Sequence, residues 1–212
     1  MSGILDLMSS PMGQQLIRGV SQETGQPEDQ TANLLSMAMP LLMGAMKKNA
    51  STPEGAAGLM NALSSKHSGG ILDDLGGLFS GGVDASVMKD GAGILGHVLG
   101  SRQPAVENAL SQKSGMDPSA IANILKIAAP IVMGFLGRQR AQTNVSDANG
   151  LTSLLGSMLG GQPQANQSLI TSLIDTDGDG SVLDDVADMV LGSSSKKKSS
   201  GLGGLLGGLF GK

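Results

Sequence analysis

Apolar positions along the chain recur with a helical rather than an alternating period, and they do so twice. In the first half, Ser10 followed by Pro11 has the form of an N-cap and a favoured first helical residue, and Gly25 is a natural C-terminal stop. A second helix is predicted to open at Pro27 or Asp29 and to run to about Lys48. Ser51 with Glu54, enclosing Pro53, reads as a capping box that starts a third. The second half repeats this grammar at Asp117-Pro118 and Ser146-Asp147.

The middle helix of each half is apolar almost all round, over Leu34–Met46 and Ile124–Leu136. A helix without a polar face must be buried by its neighbours. Asn33, Leu35, Ala38, Pro40, Met43 and Gly44 return at a constant offset of 90 as Asn123, Leu125, Ala128, Pro130, Met133 and Gly134. After a two-residue insertion, G-L-M-N-A-L (58–63) is answered by G-L-T-S-L-L (150–155). Pro40 and Pro130 stand inside these helices and are expected to bend them. P-x-x-M-G could serve as a hinge, but a kinked core helix is the favoured reading, with Gly44 and Gly134 admitting a close neighbour. The longest uncharged apolar run, 127–137, is too short to span a membrane, which needs about 20 residues.

The expected architecture is therefore all-α, with two tandem helical repeats at 5–80 and 81–191 and kinked, buried central helices. A Gly-rich C-terminal tail, expected to be flexible, follows at 192–212. The stretch G-G-L-F-S-G-G (76–82) reads as a linker between the copies. The chain has 13 methionines, three phenylalanines and neither tryptophan nor tyrosine, so the core must be built from Leu, Ile, Val, Met and Ala. The absence of cysteine excludes disulfides and thiolate metal sites.

The pattern G-I-L-G-H-V-L-G (93–100), A-L-S-Q-K-S-G (109–115), A-P-I-V-M-G-F-L-G-R-Q (129–139) and D-G-D-G-S-V-L-D-D-V (177–186) resembles a bacterial family, domain of unknown function nine-three-seven. The resemblance covers most of residues 5–191. It implies a helical bacterial protein and brings no catalytic residues with it.

One stretch has the form of a metal site. Asp175, Asp177 and Asp179 occupy positions 1, 3 and 5 of an EF-hand-like loop, Gly180 position 6, and Ser181 offers a carbonyl at 7. Apolar helical segments flank the loop on both sides. Position 12 is Val186 rather than glutamate, so the closing carboxylate must come from Asp185 or, less favourably, Asp184. The expected ligand is Ca²⁺, bound weakly, roughly 10⁻⁵–10⁻³ M. The first repeat supplies an internal control: Gly69, Ile71 and Asp73-Asp74 match Gly180, Val182 and Asp184-Asp185, but Ser64, Lys66 and Ser68 replace the three ligands. There the Asp-Asp pair is expected to cap a helix.

The net charge of −4 and the scarcity of aromatics argue against nucleic-acid binding. Lys196, Lys197 and Lys198 precede Leu202, Leu205, Leu206, Leu209 and Phe210 at helical spacing, so residues 196–212 suit an anionic membrane surface or a protein groove. The only histidines, His67 and His97, lie 30 residues apart in no catalytic pattern. The sequence thus points to a non-enzymatic calcium-binding structural or scaffold protein that self-associates or docks on a protein partner. The alternative is a peripheral membrane protein held by its tail. The N-terminus lacks a basic region followed by a long apolar run, which favours a cytoplasmic location and leaves other export routes open.

Overall fold

A computed structural model describes residues 4–160, and these are helical with no strand among them. The helices are α1 (Ile4–Ser9), α2 (Pro11–Thr24), α3 (Glu28–Asn49), α4 (Pro53–Ser65), α5 (Leu75–Phe79), α6 (Ala85–Val98), α7 (Gln103–Ser114), α8 (Pro118–Gln142) and α9 (Ala148–Leu159). Short 3₁₀ turns stand at Gly70–Leu72 and Gly100–Arg102.

The expected caps are in place with one shift. Ser10 accepts from the Gly13 amide, and Gly25 ends α2 in the left-handed region at φ 66°. Asp117 and Asp147 cap α8 and α9. The cap of α4 is Thr52, which accepts from Gly55 N at 3.1 Å, and not Ser51. Ser51 instead donates to the Lys48 carbonyl at 2.6 Å, closing the end of α3.

The duplication extends to single hydrogen bonds. Ser21 donates to the Gln26 carbonyl at 2.6 Å, and Ser111, 90 residues on, donates to the Met116 carbonyl at 2.6 Å. Both bonds brace turns that pass through left-handed glycines, Gly25 and Gly115. Leu59 and Leu63 of α4 correspond to Leu151 and Leu155 of α9, all four buried, while α4 begins one turn earlier than α9.

The two copies are interleaved. The central helices α3 and α8 pack on each other. Helices α2 and α4 touch both central helices, and so do α7 and α9. One continuous core results, with fully buried Leu34, Leu42 and Met46 of the first copy joined to Ile124, Val132 and Leu136 of the second. Each such side chain contributes about 1.5–3 kcal/mol by leaving water. Pro40 and Pro130 lie buried in helices that run unbroken through them, as a core role for P-x-x-M-G requires. Helix α8 is long and apolar enough to cross a membrane, but 78% of its most apolar window is buried by the rest of the protein.

The stretch 76–82, read from sequence as a linker, is partly structured. Residues 75–79 form α5, and the Phe79 ring lies over Gly19 of α2, where a Cβ would come within 2.2 Å of it. The bare backbone of Gly19 lets an aromatic ring anchor a segment whose glycines suggested only a connection.

Candidate functional site

The acidic loop residues Asp175, Asp177, Asp179, Ser181 and Asp185, together with Asp184 and the tail 196–212, lie outside the described residues. Among the described residues no cluster of three or more His, Asp or Glu is arranged to hold a metal ion.

The sister segment of that loop is described, and it separates the roles of its two aspartates. Asp74 caps α5, accepting from Gly77 N at 2.7 Å. The Asp73 side chain instead forms an ion pair with Arg138 of α8, while its amide closes the 3₁₀ turn Gly70–Leu72. The expectation that both would serve as a cap is therefore correct for Asp74 and corrected for Asp73. Lys66 and Ser68, which replace the acidic ligands, flank His67 at the end of α4.

A groove of about 890 Å³ lies between α4 and α6. Both helices pack on α8 but make little direct contact with each other, so the surface of α8 is left as the floor between them. The groove is lined along its base by Leu59, Ile94, Val98 and Met133. The α4 wall carries Glu54, Gly58 and Ala62, and the α6 wall carries Ser86, Lys89 and Gly93. Asn49 closes one end, where its side-chain amide donates to the His97 carbonyl at 3.4 Å.

Both histidines of the chain line this groove. His67 is only 7% exposed, and its Nε2 stands 3.5 Å from Oδ2 of Asp90. The other oxygen of Asp90 is paired with Lys66. Burial holds the His67 imidazole below its ordinary pKa, Asp90 opposes that shift, and Lys66 adds to it. His67 is thus a neutral ring near neutral pH, positioned by a carboxylate that a lysine already partners. His97 is exposed on the α6 wall.

Sequence reading did not find this groove. His67 and His97 are 30 residues apart, and nothing in their spacing shows that α4 and α6 meet α8 side by side. A usable signal did exist: Gly58 and Gly93 stand inside helices and weaken them, with no turn to make.

No curated protein and no solved structure matches the chain. Two adjacent segments, 6–139 and 141–212, match one family of bacterial proteins of unknown function, and the pairing is consistent with tandem copies. The chain belongs to that family, DUF937.

Proposed function

We propose that the protein is a non-enzymatic scaffold that self-associates through the α4–α6 groove, with Ca²⁺ held weakly by the acidic loop 175–186. The supporting observation is the pair Gly58 and Gly93. They stand on opposite walls inside helices, and a Cβ at either would meet nothing within 4 Å. A glycine in a helix interior costs about 1 kcal/mol relative to alanine. Nothing inside the described chain compensates that cost, whereas a second chain lying between the walls would. The groove offers an apolar base with Glu54 on one wall and Lys89 on the other. Opposite charges on facing walls suit a two-fold interface, in which each patch meets its own copy.

The calcium part of the reading rests on sequence. Asp175, Asp177, Asp179 and the Ser181 carbonyl are the expected ligands, with Asp185 the candidate for closing the shell.

Analytical ultracentrifugation of the whole chain tests the assembly. The wild type is expected to dimerise, and Gly58→Trp, which fills the groove from an open position, is expected to weaken dimerisation at least tenfold with unchanged helical circular dichroism. A wild type that is monomeric at every concentration, or a dimer indifferent to both Gly58→Trp and Gly93→Trp, rules the reading out. Calorimetric titration of Ca²⁺ into the wild type and into Asp177→Ala with Asp179→Ala tests the loop separately.

A further inference from the structure

The walls of the α4–α6 groove are tied to each other or to α3 at both ends. At one end Asn49, which closes α3, donates to the His97 carbonyl of α6. At the other, α4 finishes in Lys66 and His67, and both face Asp90 of α6. Lys66 pairs with Oδ1, and His67 Nε2 stands 3.5 Å from Oδ2. One carboxylate thus serves two bases in different surroundings. The Lys66 side chain is 66% exposed, whereas His67 is 7% exposed. The His67 backbone is pinned as well. Its amide donates to the Ala62 carbonyl at 2.9 Å, and its own carbonyl rests on α8 at Gly137, where a Cβ would come within 1.8 Å of it.

The charges around the ring come from three helices. Lys66 belongs to its own turn. Asp90 stands on α6, with Lys89 exposed on the same wall. On α8, the neighbour of Gly137 is Arg138, whose Nη2 is given to the Gly69 carbonyl and to Asp73. Glu54 and His97 lie toward the Asn49 end, where Gly55 meets the Asn49 carbonyl. With His67 neutral, Lys66 and Asp90 cancel each other. A proton on His67 sets two positive charges against one negative, beside the further cation of Lys89. Burial already disfavours the protonated ring, and a second chain lying over the groove would remove more water from it. An uncompensated charge beneath an interface is costly, whereas a balanced pair with a neutral imidazole is tolerated.

We propose that Lys66, His67 and Asp90 form a proton-sensitive latch on self-association: the groove accepts a second copy when His67 is neutral and releases it when His67 takes up a proton. The inference rests on the groove being the self-association surface, and it adds what controls that surface. Proton uptake and assembly oppose each other, so assembly expels a proton from each copy, and acid dissociates the pair. The affinity falls as the pH drops below 6.5, by up to about tenfold per pH unit for each proton expelled.

Sedimentation equilibrium of the full chain at pH 7.5, 6.5, 5.5 and 5.0, with helical circular dichroism recorded at each, tests the latch. Wild-type association should weaken at least tenfold between pH 7.5 and 5.0 with unchanged helical content. His67→Gln, neutral throughout, should keep its own association constant within about twofold over that range. His97→Gln, which alters the other imidazole of the groove, should behave as the wild type does. A measurement that needs no variant is the NMR titration of the His67 ring below and above the concentration of assembly, where its midpoint should move to lower pH on assembly. A wild-type dimer indifferent to pH, a dependence that survives His67→Gln or disappears with His97→Gln, or a His67 midpoint unmoved by assembly overturns the latch and leaves the groove interface standing. A wild type monomeric at every pH removes both.

Discussion

Gly91 of α6 meets α8 at the carbonyl of Lys126, the group that Pro130 leaves without its helical donor. A Cβ on Gly91 would lie 1.8 Å from that oxygen. Proline has no N–H to offer the carbonyl four residues before it, so Lys126 O is free to face outward, and glycine alone lets a second helix approach it this closely. Replacing Gly91 by alanine should force the two helices apart and cost about 2–3 kcal/mol. Chemical denaturation of the variant checks the figure, and a loss below 0.5 kcal/mol would contradict so close an approach.

Glycines on the groove walls should respond in the opposite direction. Gly58→Ala and Gly93→Ala each add a methyl group to open space and remove backbone freedom from the unfolded chain. Each should stabilise the isolated monomer by about 0.5–1 kcal/mol. Thermal melts at low protein concentration, where assembly does not contribute, are the appropriate measurement.

Thr31 is fully buried, and its hydroxyl has no hydrogen-bond partner among the described residues. The corresponding position of the second copy is Ile121, also fully buried. An apolar residue of the same branched shape avoids burying a lone hydroxyl, so Thr31→Val should raise stability by about 1 kcal/mol. A destabilised Thr31→Val protein in urea titration would mean that the hydroxyl is bonded after all.

His67 predicts a pH dependence. Its folded pKa lies below the ordinary 6.5, so in the window beneath 6.5 the unfolded chain binds more protons than the folded one. Stability from the neutral buried ring is complete above 6.5 and falls as the pH drops through that window. His67→Gln should flatten this part of the stability–pH curve, as measured by denaturation at pH 5, 6, 7 and 8. A wild-type curve that rises as the pH falls from 7 to 5 would reverse the sign assigned here.

Much of the helical framework was legible in the sequence because its signals are local. The caps at Ser10, Asp117 and Asp147 and the stop at Gly25 depend on residues within a few positions of one another. The cap of α4 was misplaced by one residue because Ser51 and Thr52 offer the same hydroxyl chemistry, and the end of α3 decides which one is turned toward Gly55. Asp73 could not be told from Asp74 for a different reason: its partner Arg138 lies 65 residues away. The α4–α6 groove was invisible on the same ground, since its walls and base come from separate parts of the chain.

The sequence by itself determined that the protein is helical, duplicated at an offset of 90, and built around two helices with no polar face. Local propensity, capping chemistry and apolar periodicity suffice for that. Only the tertiary structure decided that the copies interleave into one core, that Arg138 selects Asp73, and that both histidines come to one groove. These outcomes depend on which distant surfaces bury one another, and burial between elements far apart in sequence leaves no mark in the spacing of neighbouring residues.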